Sequence, residues 1–470
     1  MHTKLILASL AILPVIVSAQ DASAALRAVS RAMGGENVAS IQYSGHGARF
    51  TLGQNVNPGV AWPRVELKSY SRLVDFGEMG GREEWTAGTQ QQVQIFGRSQ
   101  SWNIVGGNSV PAPATYVERL VHMWLSPHGV VRSAMVNNAS VRKAPSGKGV
   151  MFSYTILNRY KVNGYANEQN LVEKVETWFD NPVLGDMPVE IAFSDYKDHG
   201  GLQFPGRIVQ KQGGHPTLDV TITEVKLNPT FTPNPPTRGP GGESGPPPAN
   251  TQKLADGVWY VTGGSHHSVA VEFKDHVVVI EAPQNDDRSQ AVIEAVKQAI
   301  PNKPIRYLVN THHHFDHSGG LRTYVAEGAT LVTHKINQPF YTTTFQAPRS
   351  LSPDRMAKEK KQAAFLAVTD KHVFQDDART LELHHIQGNP HNDGILLAYL
   401  PKEKLLVEAD VFTPPAAGAA APATPNPASV NLYENIRRLK LNVEQIAPLH
   451  GRVVPLADLE KAIGKAPPAQ

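Results

Sequence analysis

A short apolar strand that runs directly into a histidine-rich loop constrains this chain more than any other feature. The predicted strand is Ile305–Val309, and the loop after it reads THHHFDHSGG. Buried strands that end in polar loops are where α/β proteins place their sites. Within six residues this loop carries four candidate metal ligands, namely His312, His314, Asp316 and His317.

The spacing of these four residues predicts two binding positions. Residues two apart in an extended loop point the same way, so His312 and His314 can bind one ion, and Asp316 and His317 turn toward a second. Gly319 and Gly320 allow the next helix to begin close to the metals without a side chain in the way. A solvated histidine-rich loop or a metal tag would need neither the aspartate, the preceding strand nor the glycine pair.

Three later residues each follow or interrupt predicted apolar strands. His391 lies in a turn between the predicted strands Leu381–Ile386 and Ile395–Leu400. Asp410 follows Leu405–Ala409, and His450 follows Gln445–Leu449. Each of them alone is more typical of an ordinary loop residue. Together with the first loop they form an ordered set, which reads HxHxDH, then His, then Asp, then His.

This ordered set resembles the metallo-β-lactamase superfamily, and the resemblance covers the second half of the chain. It implies an α/β fold, the αββα sandwich, with both metals at one edge. It further implies a first metal on His312, His314 and His391, a second on Asp316, His317 and His450, and Asp410 as a bridge between them. One position departs from the family pattern, because Glu281 stands where the family usually has a supporting aspartate.

The ligand types favour two Zn²⁺ ions, although Mn²⁺ and iron stay open. The chain has no cysteine, so thiolate ligands are excluded. Zinc lowers the pKa of bound water to roughly 7, and we therefore expect a hydroxide that bridges the metals to be the nucleophile. Asp316 is the predicted catalytic residue, because it can orient the hydroxide or accept a proton.

The predicted reaction is hydrolysis of an ester, lactone, thioester, phosphodiester or amide bond in a small molecule. By resemblance, Asp410 argues against a true β-lactamase, since those enzymes generally carry Cys or Ser there. His314 argues against the oxygen-reducing diiron members, which carry Glu. Two alternatives stay open, a mononuclear iron sulfur dioxygenase of the same fold and a periplasmic carrier or binding protein that is not an enzyme.

Residues 1–19 are predicted to be a signal peptide. Lys4 precedes the apolar run Leu5–Val17, and small residues follow at positions 18 and 19. The run is too short to span a bilayer comfortably, so stable membrane insertion is not expected. We therefore expect a periplasmic or secreted protein. The formal net charge of +3 gives no indication of a nucleic-acid partner, and nothing in the sequence indicates an oligomeric state.

Residues 21–227 are predicted to form a mainly antiparallel β domain with one or two helices. The helices are expected at Ala24–Met33 and Tyr116–Leu125, and clear period-two strands at Val150–Ile156, Val172–Trp178 and Leu218–Leu227. The stretch 189–229 resembles the end of a lipoprotein-carrier half-barrel. Five scattered histidines are expected on the surface or in loops, namely His46, His122, His128, His199 and His215.

A proline- and glycine-rich linker, residues 228–250, separates this half from the predicted metal domain, residues 251–470. The linker has almost no aliphatic residues and cannot bury a core. Within the metal domain, the insert Ile336–Ala367 carries several aromatic side chains and is expected to cover the site as a helical flap.

Overall fold

The computed structural model describes residues 19–236 and 248–465. The chain divides into two compact units. Of the described residues, the first unit comprises 19–49, 65–178 and 188–236, and the second comprises 50–64, 179–187 and 248–465. The predicted signal peptide, apart from Ala19, and the middle of the predicted linker lie outside the described residues. The predicted domain boundaries stay a prediction, and two short stretches of the 21–227 range cluster with the second unit.

The sheet of the first unit draws on a long series of strands. Their bounds are β1 Ser40–Phe50, β2 Arg64–Asp75, β3 Gly80–Ala87, β4 Gln90–Gly97, β5 Gln100–Val105, β6 Asn108–Pro111, β7 Ser140–Lys143, β8 Val150–Ile156, β9 Tyr160–Ala166, β10 Val172–Asn181, β11 Gly185–Ser194, β12 Lys197–Asp198, β13 Gln203–Phe204, β14 Arg207–Gln212 and β15 His215–Leu227. Thirteen of them form one sheet in the order β6-β5-β4-β3-β2-β1-β15-β14-β11-β10-β9-β8-β7, and β12 pairs with β13. The hairpins β2 to β6 and β7 to β10 are antiparallel, as is the β1–β15 pair.

Among the described residues 19–236, three α-helices accompany this sheet, α1 Ala19–Ala32, α2 Tyr116–Trp124 and α3 Pro127–Val136. The predicted antiparallel sheet with few helices is confirmed. The sequence pattern missed α3, whose glycine and valines are weak helix formers. Ser126 caps this helix, Pro127 begins it, and it packs against α1. The helix therefore depends on caps and packing more than on propensity.

His128 corrects one prediction about the first unit. The prediction of a surface or loop position is wrong, because His128 lies on α3 and is 3% exposed. Its Nε2 lies 3.1 Å from the Met33 carbonyl oxygen, to which it donates. The ring also stacks on Phe204 with 5.8 Å between the ring centroids. The histidine is buried because one polar atom has a partner and the ring face packs on an aromatic side chain.

The second unit contains two further sheets and seven further α-helices among the described residues. The strands are β16 Asn250–Ala255, β17 Val258–Thr262, β18 Ser268–Glu272, β19 Val277–Ile280, β20 Ile305–Val309, β21 Thr330–His334, β22 Phe365–Val368, β23 Lys371–Gln375, β24 Thr380–His385, β25 Leu396–Leu400, β26 Leu405–Glu408, β27 Gln445–Pro448 and β28 Val454–Pro455. The helices are α4 Asp286–Ala299, α5 Phe315–Ser318, α6 Leu321–Glu327, α7 Gln338–Thr344, α8 Arg355–Glu359, α9 Pro427–Arg438 and α10 Leu456–Ala462.

The two sheets of the second unit lie face to face between helices, as the αββα prediction requires. Strands β16 to β22 form one sheet in sequence order and β23 to β28 the other. One apolar cluster takes residues from both sheets, including Val271 and Leu383. A second cluster joins the first sheet to α4 and α6, and a third joins the second sheet to α9 and α10. These three layers of buried side chains confirm the predicted α/β sandwich.

Strand direction places the candidate ligands together. The histidine-rich loop follows β20, which runs parallel to β19 and β21. Asp410 follows β26 and His450 follows β27, and these two strands are parallel neighbours. The loop with His391 joins β24 to β25. Carboxyl ends of parallel strands lie at the same edge of a sheet, so each sheet delivers ligands from one edge. Within the described residues, no helix is long and apolar enough to span a membrane.

Candidate metal centre

The first group of candidate ligands consists of His312, His314, His391 and Asp410. One possible ligand atom from each of them lies within 4.8 Å of all the others. His312 and His314 are 0% and 1% exposed. Three buried ring nitrogens here make no well-formed hydrogen bond, namely His312 Nε2, His314 Nδ1 and His391 Nε2, and two of them face the Asp410 carboxylate. Buried polar atoms without partners are costly, so three from one predicted ligand set fit a site for a cation.

The second group consists of His266, Asp316, His317 and His450, with ligand atoms within the same 4.8 Å. His317 Nε2 lies 3.1 Å from His450 Nε2 and 3.7 Å from Asp316 Oδ2. His266 Nε2 lies 3.2 Å from Asp316 Oδ2. The structure therefore brings the three residues predicted for the second metal together, and it adds His266, which is not among the predicted ligands.

Asp410 lies between the two groups. Its Oδ2 is 3.1 Å from His391 Nε2 and 3.5 Å from His312 Nε2, both of the first group. The same oxygen is 3.1 Å from His317 Nε2, and Oδ1 is 2.8 Å from His450 Nε2, both of the second group. One carboxylate thus faces four imidazoles, which is the position required of a ligand shared by two cations.

Four of the imidazoles have one nitrogen fixed by an oxygen outside the groups. The nitrogen–oxygen distances are 3.0 Å from His312 Nδ1 to Thr311 Oγ1, 3.0 Å from His314 Nε2 to the Asn55 carbonyl, 3.1 Å from His317 Nδ1 to Glu281 Oε2, and 2.9 Å from His450 Nδ1 to the Ser265 carbonyl. The carbonyls can only accept, so the bonded nitrogens of His314 and His450 carry their ring protons. Their other nitrogens are then free as ligands, a pattern typical of metal-binding histidines.

Glu281 and Asn310 support the histidine-rich loop from beneath. Glu281 is 0% exposed and accepts hydrogen bonds from Asn310 Nδ2, Thr311 Oγ1 and His317 Nδ1. The Asn310 amide also donates to the His312 carbonyl at 2.7 Å, and its Oδ1 accepts from Tyr341 of α7 at 2.6 Å. Glu281 therefore takes the supporting position expected from the resemblance. Asn310 was not singled out in the sequence.

The charges of the site follow from burial and mutual contact. Burial, with the charge of His391 next, lowers the pKa of His314 to about 4, and burial also lowers the pKa of His312. Both rings are then neutral at pH 7, the form that binds metal. Burial raises the pKa of Asp410, but the charge of His317 and several hydrogen bonds hold it far below its usual range.

The pKa of His317 shifts in the opposite direction from those of His312 and His314. Burial lowers its pKa, but the charge of Asp410 and the hydrogen bonds to Asp410 and Glu281 outweigh burial and raise it. Metal ligands must be deprotonated, so a cation that binds here displaces the proton on His317.

The 50–64 segment, which belongs to the second unit, also reaches the site. Gln54 Nε2 donates to Asp316 Oδ1 at 2.7 Å, and the Asn55 carbonyl accepts from His314. These residues are 262 and 259 positions from their partners, and no motif in the sequence links them. The predicted aromatic insert contains α7 and α8, as expected for a helical segment. The ring centroid of Phe340 on α7 lies 5.9 Å from that of His313.

The family comparison locates its match in this half of the chain. A family model of the metallo-β-lactamase superfamily matches residues 261–448, a range that contains six of the seven ligands predicted from the sequence. The alpha subunit of 2,4-dinitroanisole O-demethylase from Nocardioides sp. (strain JS1661) is 25% identical over 170 residues. That match covers 36% of this chain and 48% of the relative, so the chain spans about half the length of the relative.

Two solved structures are similar over 46% of this chain. A metallo-β-lactamase from Pontibacter korlensis is 18% identical with a TM-score of 0.35, and 97% of that chain is covered. Rubredoxin oxygen:oxidoreductase from Desulfovibrio gigas is 16% identical with a TM-score of 0.36, and 61% of that chain is covered. The family match and the two-sheet, helix-flanked fold agree. Residues 261–448 therefore form a domain of the metallo-β-lactamase superfamily.

Proposed function

We propose that this protein is an exported hydrolase with two zinc ions, which cleaves an ester, lactone, thioester, phosphodiester or amide bond of a small molecule. The position of Asp410 carries the proposal, because its two oxygens contact imidazoles of both ligand groups. Two-metal hydrolytic sites hold their ions about 3.5–4 Å apart, and a shared carboxylate suits that spacing.

The donor set fits zinc, since it consists of imidazole nitrogens and carboxylate oxygens in the number two such sites need. When bound, zinc supplies a water of lowered pKa and polarises the oxygen of the bond that is cleaved. The chain's own residues fix the geometry. Each of four imidazoles has one nitrogen held by an oxygen, so that the other nitrogens converge. These oxygens belong to Glu281, Thr311 and the carbonyls of Asn55 and Ser265.

Asp316 is the catalytic residue in this proposal. Its side chain is 36% exposed, more than those of His391, His450 and Asp410 at 26%, 20% and 13%. Substrate and water can therefore reach this carboxylate. Its Oδ1 is held by Gln54, and Oδ2 is directed toward His266 and His317. From this position Asp316 orients the attacking water or accepts its proton.

Metal analysis combined with an activity panel tests the proposal. Purified protein should contain about two zinc ions per chain and turn over at least one of a carboxylic ester, a lactone, a thioester and a phosphodiester, while a β-lactam should react poorly. Iron at about one equivalent, with oxygen uptake on a persulfide, would instead support the sulfur dioxygenase. Protein without metal would support the binding protein and contradict the hydrolase.

An activated aryl methyl ether is a second candidate substrate. The observation behind it is the 25% identity to a protein named 2,4-dinitroanisole O-demethylase subunit alpha, over 170 residues. Electron-poor aryl ethers have good leaving groups, so attack by water on such a bond needs the same positioned proton acceptor. Including 2,4-dinitroanisole in the panel distinguishes the two candidates, because release of methanol and dinitrophenol without turnover of any ester favours the ether.

Export is proposed from the apolar run Leu5–Val17 and the small residues after it. Expression of the full chain with cell fractionation tests this part of the proposal. The mature protein should be found outside the cytoplasm with an N-terminus near Gln20. Mass spectrometry that finds Met1 still present on protein in the cytoplasmic fraction would contradict export.

A further inference from the structure

The 50–64 segment is built into the candidate metal centre, although it lies about 200 residues before the superfamily domain. Its residue Asn55 is 5% exposed. The Asn55 carbonyl accepts from His314 Nε2 at 3.0 Å, and its side-chain Oδ1 accepts from His313 Nε2 at 3.1 Å. One residue of this segment therefore contacts two consecutive histidines of the histidine-rich loop.

The contact with His314 decides which of its nitrogens carries the proton. A carbonyl oxygen can only accept, so His314 Nε2 must be protonated and Nδ1 is left with its lone pair. His314 Nδ1 is buried without a hydrogen-bond partner and belongs to the first ligand group. The hydrogen bond to the Asn55 carbonyl thus leaves His314 Nδ1 deprotonated and able to bind a metal.

Gln54 contacts the second ligand group. Its Nε2 donates to Asp316 Oδ1 at 2.7 Å, while Asp316 Oδ2 faces His266 and His317. The amide thereby orients the carboxylate with one oxygen occupied and the other toward the second group. Gln54 and Asn55 are adjacent in this segment, and together they contact one member of each ligand group.

The segment is held in place by its own hydrogen bonds. Asn55 Nδ2 donates to the carbonyls of Asn57 and Val60, at 2.6 and 2.9 Å, which fixes a compact turn. Asn57 Nδ2 donates to Asp393 Oδ2 at 2.8 Å, and the Asp393 backbone N–H donates to the Val56 carbonyl at 2.7 Å. Asp393 lies two residues after His391, so the segment is attached to two of the loops that carry ligands.

Close packing beside Asp316 supports the same conclusion. Trp62 meets Phe315 edge to face, with 6.2 Å between ring centroids. Gly53 has a φ of 68°, and a Cβ atom there would lie 2.2 Å from Phe315 Cγ. A side chain at this position would force the segment away from the ring that precedes Asp316.

We propose that Gln54 and Asn55 are positioning residues of the metal centre, so that the 50–64 segment completes a site whose candidate ligands all lie after residue 265. Gln54 orients Asp316 for the second metal, and Asn55 sets the tautomer of His314 for the first. The inference rests on the proposed two-metal function. Replacing hydrogen-bond partners of metal ligands typically weakens metal binding by about 10- to 100-fold.

Metal titration of full-length variants tests the inference. Gln54→Ala removes the donor to Asp316 but leaves the first ligand group intact. We expect the first metal to bind as in the wild type and the second at least about tenfold more weakly. With Co²⁺ as the probe, the visible absorption of the second site should change while that of the first stays. Gln54→Asn keeps an amide, and its affinity for the second metal should lie between those of the wild type and Gln54→Ala. Gln298→Ala, at an exposed position on α4, is the matched control.

The Asn55 contribution needs its own variant, because its carbonyl belongs to the backbone. Asn55→Asp keeps the acceptor for His313 but loses both donors that hold the turn. We expect this variant to bind both the first and the second metal more weakly than the wild type.

Wild-type metal binding separates the possible failures. If the wild type binds two metals and both Gln54→Ala and Asn55→Asp match it in affinity and Co²⁺ spectrum, the inference is overturned and the proposed function stands. If the folded wild type binds no metal, the proposed function fails and the inference with it. Should Gln54→Ala not fold, the same comparison is made with Gln54→Asn, for which unchanged second-metal affinity and spectrum also overturn the assignment.

Discussion

Two acidic residues of the centre have backbone conformations that side chains rarely adopt. Glu281 has a φ of 79° and Asp410 a φ of 65°. Such conformations cost on the order of 1–3 kcal/mol and persist only where the surroundings impose them. Around Asp410 the buried Glu408 carboxylate oxygen Oε2 accepts from the backbone N–H groups of Val411 and Phe412, at 3.2 and 3.1 Å. Glu408 thus holds the backbone that follows Asp410 in this turn.

Removing the charge of Asp410 tests its shared position. Asp410→Asn keeps the size of the side chain and tolerates positive φ, so the fold should persist. The carboxylate that faces four imidazoles is lost, and we expect at least one metal per chain to be lost with it. Hydrolysis should fall by about 10³-fold or more, because the metals provide both nucleophile and charge stabilisation. Metal analysis and kcat/KM measure both effects.

Asp377→Asn is the control for this experiment, since Asp377 is exposed and pairs only loosely with Lys274, at 3.7 Å. It should change neither metal content nor activity. Two tightly bound metals and normal turnover in Asp410→Asn would contradict the shared-ligand assignment.

His128 makes the stability of the first unit depend on pH. Burial lowers its pKa to about 4, against an ordinary value of 6.5. The unfolded chain binds the proton first, so the stabilisation is fully present above pH 6.5 and is lost as the pH falls toward 4. Comparing urea midpoints at pH 7 and pH 4.5 for the wild type and His128→Gln checks this. The loss on acidification should be smaller in the variant by roughly 2–3 kcal/mol, and equal losses would contradict the assignment.

The sequence could predict seven of the eight candidate ligands, all except His266, because those seven follow strands in a recognisable order. Four lie in one loop, and the other three, His391, Asp410 and His450, interrupt or follow apolar strands. Gln54 and Asn55 could not be found this way. A glutamine and an asparagine in a loop carry no spacing signal, and their partners are 258 to 262 positions away. These hydrogen bonds form only in the folded chain, so the structure is needed to find them.

At the scale of elements, runs of apolar residues predicted strands better than helices. Val150–Ile156 and Ile305–Val309 have the predicted bounds in the structure, because each run is flanked by turn residues. Helix α1 already includes Ala19, five residues before its predicted start, and α3 was missed. Alternation has a period of two that short stretches reveal, whereas short helices depend on caps and packing.

The turn from β20 into α6 depends on the glycine pair for a reason the sequence did not show. A Cβ on Gly319 would lie 1.8 Å from the Gln284 carbonyl oxygen, and one on Gly320 would lie 1.8 Å from Ser289 Oγ. The glycines therefore make room for the backbone after β19 and for α4, in addition to the predicted room near the metals.

Gly319→Ala should destabilise the protein by about 2–4 kcal/mol, since a backbone carbonyl cannot move aside cheaply. Thermal or urea unfolding of the metal-free protein measures this. Gly59→Ala is the matched control, because Gly59 is exposed and a Cβ there meets its nearest atom at 3.4 Å. If the two variants are equally stable, the turn is looser than the structure indicates.

For the whole molecule, the division into units predicts what a truncated chain loses. A chain that starts at Thr251, the predicted boundary, lacks the 50–64 and 179–187 segments of the second unit. The second segment contacts Arg349, whose guanidinium donates to the carbonyls of Asn181, Pro182 and Val183. We expect the truncated chain to unfold at a lower temperature and to bind metal more weakly than the full chain.

A full chain cut by a protease at a site placed within residues 240–246 is the control for the truncation. It keeps both segments, and it should retain the metal affinity and unfolding temperature of the uncut protein. If the truncated chain matches the full chain in both properties, residues 251–470 are sufficient for the centre.

The distant hydrogen bonds of the 50–64 segment also bear on the order of folding. Asn55 and Asn392, which are 337 positions apart, both contact the histidine-rich loop. Joining positions so far apart closes a very long loop, and contacts of this kind form slowly. We therefore expect the two sheets of the superfamily domain to assemble first and the 50–64 segment to dock afterwards. High-affinity metal uptake would then be the final step of maturation, and its rate would report when the chain has finished folding.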